Sequence, residues 1–333
     1  MKPNVLVTRR VPEEGLQQLR AACEVRVWDS DDPVPRDRLL RDVAGADGLY
    51  CLLTERVDLE VLNAAPRLKV VSNMAVGFDN IDVAECTRRR IPVGNTPGVL
   101  TETTADLTWA LLMAAARRVV EGVDFVRAGR WTTWGPLLLR GPDVHGATLG
   151  IFGFGRIGQA VARRARGFDM RVLYHDRVRD AQAEAELGAT FVDFEALLHE
   201  SDFLTIHASL NPETRHVFDA GALSKMKSSA VLVNAARGPL VEPQALHDAL
   251  KAGRLFAAAL DVTDPEPLPA GHPLLSLPNC LVVPHIGSAS IGTRAKMAAM
   301  AAENLLAGLR GERLPNCVNP AVYDATAKIS HHG

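Results

Sequence analysis

One segment restricts the fold more than any other. Gly153-Phe154-Gly155-Arg156-Ile157-Gly158 follows directly on the apolar run Leu149 to Phe152 and opens directly into a helical pattern. A G-x-G-x-x-G in that position asks for a strand, a tight turn and a helix in immediate succession. The glycines let the backbone turn sharply and come close to a ligand, and the helix N-terminus supplies N–H groups and a partial positive charge. Gly153, Gly155, Arg156, Ile157 and Gly158 are therefore candidates to hold a pyrophosphate. Further on, RVLYHD ends at Asp176, about 20 residues beyond the glycines, where an acid can accept from a ribose 2′-hydroxyl. Arg177 beside it could instead neutralise a 2′-phosphate. A carboxylate facing a phosphate costs more than an exposed arginine returns, so NAD(H) is favoured and NADP(H) is the alternative.

The same β/α alternation runs on both sides of this segment. Before it, Val5 to Val7, Val25 to Trp28, Gly48 to Leu53 and Leu68 to Ser72 read as strands, separated by helical stretches such as Glu13 to Ala22 and Arg36 to Ala46. After it, TLGIF, RVLYHD, FLTIHASL, AVLVNAARG, FAAALDV and CLVVPHIGS give six strand candidates that end in loops. The Ala- and Leu-rich stretch from Thr103 to about Arg130 has no proline and no glycine before Gly122. It reads as one long helix with Thr103 or Thr104 as N-cap, and Thr293 to Leu309 reads as a last one.

A chain of 333 residues exceeds what one hydrophobic core usually serves, so two α/β domains are expected. With 37 Lys+Arg against 39 Asp+Glu, the net charge of −2 gives no field for nucleic acid or an acidic membrane. No apolar run approaches the roughly 18 residues that span a bilayer, and MKPNVLVTRRVPEE lacks the apolar region of a signal peptide. A cytoplasmic location follows as the expectation. Five scattered cysteines without a C-x-x-C pair read as free thiols, and no metal site is expected.

Six ordered blocks carry a resemblance across nearly the whole chain: MAVGFDNID (Met74 to Asp82), NTPGVLTETTADL (Asn95 to Leu107), GFGRIGQA, VNAARGPLVE (Val233 to Glu242), ALDVTDPEPLP (Ala259 to Pro269) and VPHIGSA (Val283 to Ala289). By these the sequence resembles the D-isomer-specific 2-hydroxyacid dehydrogenases, most closely the glyoxylate/hydroxypyruvate reductases among them. The resemblance implies two doubly wound parallel-sheet domains. A Rossmann nucleotide-binding domain at 97–286 would be inserted in a flavodoxin-like substrate domain made of 1–96 and 287–333.

It also implies that Arg237, Glu266 and His285 are the catalytic arginine, glutamate and histidine. Reducing a 2-keto acid calls for a cation to hold the carboxylate and polarise the carbonyl, and for an acid to protonate the oxygen as hydride arrives. Arg237 and His285 suit those roles, and Glu266 would favour the charged imidazole and orient it. Singly, the three also read as a surface charge, a solvated acid and a hydrogen-bonded loop histidine.

The resemblance further implies that the Val76 and Gly77 amides bind the substrate carboxylate and that Leu53 walls the pocket. Thr104 and Asp261 would meet the nicotinamide end, although Asp261 equally suits a turn cap. The loop RWTTWGPLLLRG implies a homodimer, with Trp134 reaching a neighbouring subunit's substrate, or else Trp131 and Trp134 pack on their own domain. Leu138 stands where the reductases have an aromatic residue. Formate dehydrogenases share the scaffold but have glutamine in place of Glu266, and phosphite dehydrogenases are a closer rival. In a different class, NAD(H)-sensing corepressors carry long flanking segments, and here both ends are short.

Overall fold

The short apolar runs pair as parallel strands, and they do so in two separate sheets. The computed structural model describes residues 2–324. The chain divides into two units, Met1–Leu100 with Ser290–Gly333 and Thr101–Ala289.

In the first unit β1 (Asn4–Val7), β2 (Glu24–Val27), β3 (Gly48–Cys51), β4 (Val70–Asn73) and β5 (Val93–Gly94) form an all-parallel sheet in the order β2-β1-β3-β4-β5. Helices α1 (Glu13–Ala22), α2 (Arg36–Val43), α3 (Leu59–Ala64) and α4 (Val83–Arg88) supply the crossovers. One face packs Leu6, Leu49, Cys51, Val71 and Val93 into a core. Against the other lies the chain's last helix, Ile291–Leu309, whose Ala298 and Ala301 carbonyls accept from Tyr50 Oη (3.3 Å) and Ser72 Oγ (2.7 Å). The strand order reverses between β1 and β3, which is where open α/β sheets form a crevice at their carboxyl ends.

The second unit opens with α5 (Thr101–Ala116) and α6 (Val119–Arg127). The expected single long helix is thus two, and the first begins before Thr103. The chain turns at Arg118, held at φ +51 while its guanidinium pairs with Glu121 (2.6 Å) and bonds the Arg140 carbonyl (3.3 Å). No glycine or proline marks that break, so composition alone could not reveal it.

Seven parallel strands follow: β6 (Thr148–Phe152), β7 (Arg171–His175), β8 (Ala189–Phe191), β9 (Phe203–Ile206), β10 (Val231–Asn234), β11 (Ala257–Leu260) and β12 (Cys280–Val282). Their order is β12-β11-β10-β9-β6-β7-β8, the doubly wound arrangement, with the reversal between β6 and β9. The strand added to the six expected is β8. Helices α7 (Arg156–Ala165), α8 (Ala181–Leu187), α9 (Phe194–Glu200), α10 (Ala220–Lys225) and α11 (Pro243–Lys251) complete the unit. Because both faces are covered, alternate residues feed two cores: Leu149, Val231 and Val233 on one side, Phe152, Leu204 and Leu232 on the other.

Among the described residues no helix is long and apolar enough to cross a membrane. All five cysteines are free.

Candidate active site

In the second unit the candidate residues gather at the carboxyl ends of the strands. Gly153 leaves β6 at φ +93, a conformation that favours glycine, and a side chain there would collide with the Ala208 amide beyond β9. This tight pass lies at the topological reversal. A side chain at Gly155, by contrast, would meet nothing within 4 Å, and α7 starts at Arg156 with no side chain capping it. An open glycine in front of an uncapped helix N-terminus fits a pyrophosphate. Asp176, just past β7, lies beside this turn: Oδ2 accepts from Phe154 N (2.7 Å) and Oδ1 from Arg177 N (2.7 Å). Arg177 is exposed, while Arg179 is occupied by Glu184 through two bonds of 2.7 Å.

Arg237 follows β10. Asn234, the buried last residue of that strand, donates from Nδ2 to the Arg237 carbonyl (2.9 Å) and accepts from Ala236 N at Oδ1 (3.1 Å), so one side chain fixes the turn that presents the guanidinium. The next residue is Gly238, where any side chain would collide with the Thr263 carbonyl, so the turn after β10 lies directly against the loop after β11. That loop carries Glu266, whose Oε2 accepts from Thr263 N (3.3 Å). Its Oε1 meets His285 Nδ1 at 2.6 Å.

His285 itself sits at φ +52, an uncommon conformation for a residue with a side chain. The backbone is pinned there by Asp261, which is 2% exposed. The Asp261 carbonyl accepts from His285 N (2.9 Å), while its carboxylate accepts from Ile286 N (2.6 Å) and Gly287 N (2.8 Å). Thr104, buried in α5, packs beside Gly287. Both Asp261 oxygens therefore serve the turn that carries the histidine.

Electrostatics separates the two carboxylates. Burial pushes Glu266 up, but the His285 hydrogen bond and charge, the Thr263 amide and the Arg237 charge outweigh it, and its pKa falls below the ordinary value. At Asp261 burial prevails over the Ile286 and Gly287 amides, and the pKa rises. Glu266 is thus held as the anion that faces the imidazole. Across the reversal from the glycine turn, burial lowers His207 to about 3, and neither ring nitrogen has a hydrogen-bond partner.

In the first unit Leu53 is 37% exposed in the loop after β3, and Val76 and Gly77 form the turn after β4. Three successive carbonyls of that turn are taken up: Ala75 O by Thr96 N (2.9 Å), Val76 O by Asn95 Nδ2 (2.8 Å) and Gly77 O by Asn73 Nδ2 (2.9 Å). In a planar trans peptide the N–H opposes the C=O, so the amides of Val76, Gly77 and Phe78 are directed away from these anchors. Among the described residues none of the three has an acceptor. Trp134 lies in the loop after α6 and is 78% exposed.

Asn73 and Asn234 escaped the sequence reading. The only signal was an asparagine closing an apolar run, in VVSN and VLVN.

A family model described as the NAD binding domain of D-isomer specific 2-hydroxyacid dehydrogenase matches residues 109–287. A glyoxylate reductase of Korarchaeum cryptofilum is 51% identical over 323 residues, 97% of each chain. One from Thermococcus kodakarensis is 50% identical over 326 residues, 97% of this chain and 98% of the other. Among solved structures, the TT0316 protein from Thermus thermophilus has a TM-score of 0.90 at 50% identity, covering 95% of this chain and 99% of that one. An NADPH-dependent glyoxylate/hydroxypyruvate reductase from Sinorhizobium meliloti, in complex with NADP and malonate, has a TM-score of 0.84 at 31% identity, covering 96% of this chain and 97% of that one.

Proposed function

We propose that this chain, which belongs to the D-isomer-specific 2-hydroxyacid dehydrogenase family and is an oxidoreductase using a nicotinamide dinucleotide, reduces glyoxylate and hydroxypyruvate to glycolate and D-glycerate. The observation that carries the reading is the 2.6 Å contact of His285 Nδ1 with Glu266 Oε1, in a loop cluster that also includes Arg237. With Nδ1–H given to a carboxylate held ionised, Nε2 is the nitrogen that faces substrate, and the imidazolium is the acid.

The bound dinucleotide supplies the hydride. Arg237 polarises the 2-carbonyl, His285 gives its Nε2 proton to the oxygen, and the unbonded amides of the Val76–Gly77 turn take the carboxylate. Asp261 and Thr104 support the turn that carries His285, with the nicotinamide end of the cofactor beside them. Leu53 limits the group at C3. Gly153, Gly155 and the N–H groups of Arg156, Ile157 and Gly158 hold the pyrophosphate.

Asp176 favours NADH, since a carboxylate already anchored on the glycine turn has lone pairs for a ribose hydroxyl and repels a 2′-phosphate. The exposed Val119, Val120, Val123 and Val126 of α6, continued by Trp131 and Trp134, form an apolar surface suited to a homodimer.

The test is kcat/KM for glyoxylate, hydroxypyruvate, pyruvate and a branched 2-keto acid, with NADH and with NADPH. The reading expects the first two substrates and NADH to lead. If pyruvate or the branched acid is fastest, the substrate assignment fails. If NADPH is clearly better, the Asp176 assignment fails.

A further inference from the structure

The loops of the first unit proposed to face substrate are tied together by two side-chain amides, that of Asn73 buried and that of Asn80 half-buried. Asn73 ends β4 with 0% exposure. Its Nδ2 donates to the Gly77 carbonyl at 2.9 Å and also to Asn80 Oδ1 at 3.3 Å, while its Oδ1 faces Cys51 Sγ at 3.7 Å. Asn80 Nδ2 in turn donates to the Leu52 and Glu55 carbonyls, at 2.9 Å each. Its own carbonyl accepts from Val57 N at 2.9 Å. Two side chains therefore connect the turn after β4, where the free amides are, to the loop after β3, where Leu53 is. The far side of the Leu53 loop is closed by Glu55. One of its oxygens accepts from Leu52 N (2.8 Å) and Thr8 Oγ1 (2.6 Å), so the loop is clamped at both ends and Leu53 stands between the clamps.

We propose that Asn73 and Asn80 are positioning residues for substrate, a two-amide strut that fixes the carboxylate-binding turn and the Leu53 wall in one relation. Carboxylate affinity and selection by size at C3 then depend on the same pair. The inference rests on the functional reading of that turn and of Leu53. Its physical basis is that a part-buried hydrogen-bond network with every member satisfied specifies one geometry, whereas apolar packing of the same loops would tolerate several. Removing Asn73 leaves the Gly77 carbonyl and Asn80 Oδ1 without a donor, and the turn can rotate to recover one. That rotation carries the Val76 to Phe78 amides out of alignment.

The test uses the full chain with Asn73→Leu, close in volume but without a donor, the milder Asn73→Ser, Asn80→Ser, and the Asn73→Ser/Asn80→Ser double variant. Four quantities are read for each: KM for glyoxylate, Ki for oxalate as a carboxylate probe, the hydroxypyruvate-to-glyoxylate ratio of kcat/KM, and Kd for NADH by fluorescence. The strut expects KM and Ki to rise together by about tenfold and the substrate ratio to move severalfold, with kcat within about threefold and NADH Kd within about twofold. The double variant should lose no more than the worse single one, because both break the same connection.

Folded variants that lose thermal stability yet keep oxalate Ki within about twofold of wild type overturn the proposal, and so does a double variant whose losses multiply. Should no variant fold, the wild type decides: the Asn73 side-chain amide protons exchange slowly with solvent both with and without oxalate if the strut is preformed. Fast exchange before oxalate is added overturns it. A wild type that neither binds oxalate nor reduces any 2-keto acid defeats the functional reading and the strut with it, whereas an active wild type with indifferent variants defeats the strut alone.

Discussion

The turn after β4 and the turn after β10 close in the same way and expose opposite chemistry. Each strand ends on a buried asparagine whose Nδ2 reaches forward to a carbonyl at 2.9 Å, Asn73 to Gly77 and Asn234 to Arg237. In the first unit the turn then shows bare N–H groups, and Val76 and Gly77 contribute little besides their backbone and their small size. In the second unit the turn shows one guanidinium, and the following loops show one carboxylate and one imidazole. A site made of backbone is set by the residues that hold its carbonyls, whereas a site made of side chains is set by the residues themselves. The two turns should therefore fail differently under substitution.

The largest expected difference is at His285. With His285 as the proposed proton donor, His285→Ala should cut kcat about 100-fold or more with modest change in KM, and Arg237→Ala should lower kcat and raise KM as well. Val76→Ala, by contrast, leaves the amide in place and should keep kcat/KM within about threefold. Steady-state kinetics of the three variants checks the contrast, and equal losses at Val76 and His285 would erase it. Next in size is Asn234→Ala. It removes the shorter of the two donors to the Arg237 carbonyl, leaving Leu240 N at 3.3 Å, and takes the acceptor from Ala236 N, so it should cost about 1–3 kcal/mol of stability and about tenfold in kcat/KM, read by chemical denaturation and initial rates.

Glu266 sharpens the comparison through pH. Its folded pKa is lowered, so the stability it contributes is fully present above the unfolded carboxylate value, about 4.3, and is lost as pH falls through the lower folded value. Glu266→Gln should flatten that acid limb of the stability profile. That flattening is not expected for substitutions in the turn after β4. Thermal melts across pH report it.

What could be read in the sequence divides along the same line. The glycine turn was legible because close backbone approach demands glycine, and Asp176 was legible from its distance along the chain. Arg237, Glu266 and His285 could be placed after apolar runs because buried parallel strands are written as such runs, but their proposed roles came from the family resemblance, since singly each also reads as an ordinary surface or loop residue. Asn73 and Asn234 could not be given a role, since an asparagine at the end of a strand is the ordinary mark of a turn, and which carbonyl it takes is settled only by the fold. Short or broken elements were hidden for a related reason. β8 is three residues with one exposed, β5 is two, and the break at Arg118 uses an arginine where a glycine would have shown it.

A smaller effect belongs to the cofactor end. With Asp176 as the proposed acceptor for the ribose hydroxyl, Asp176→Gly removes the carboxylate that would repel a 2′-phosphate and leaves the exposed Arg177 to meet it, so kcat/KM should shift toward NADPH by about tenfold. The substitution also takes the acceptor from Phe154 N, so NADH binding should weaken even where NADPH gains little. The ratio of the two cofactors, rather than either alone, is the quantity that tests it.

The smallest effect is expected at Trp134, where a side chain acts from a loop and not from a strand end. At 78% exposure it gains little from its own fold, and the neighbouring Trp131, Leu137 and the valines of α6 are exposed with it. A second copy covering this surface would bury them, and a Trp134 indole brought to a partner subunit's substrate would add a second apolar limit on C3 beside Leu53. One apolar contact discriminates by about 1–3 kcal/mol at most, and a loop residue delivers the lower part of that range, so Trp134→Ala should raise kcat/KM for a branched 2-keto acid by about threefold to tenfold. Glyoxylate, which has nothing to fill the space, should be almost unaffected. Sedimentation velocity separates the two roles of the residue, because a variant that stays dimeric and still broadens its substrate range places the indole at the substrate. A variant that dissociates without a change in selectivity assigns it to the interface alone, and leaves size selection to Leu53 and the strut beneath it.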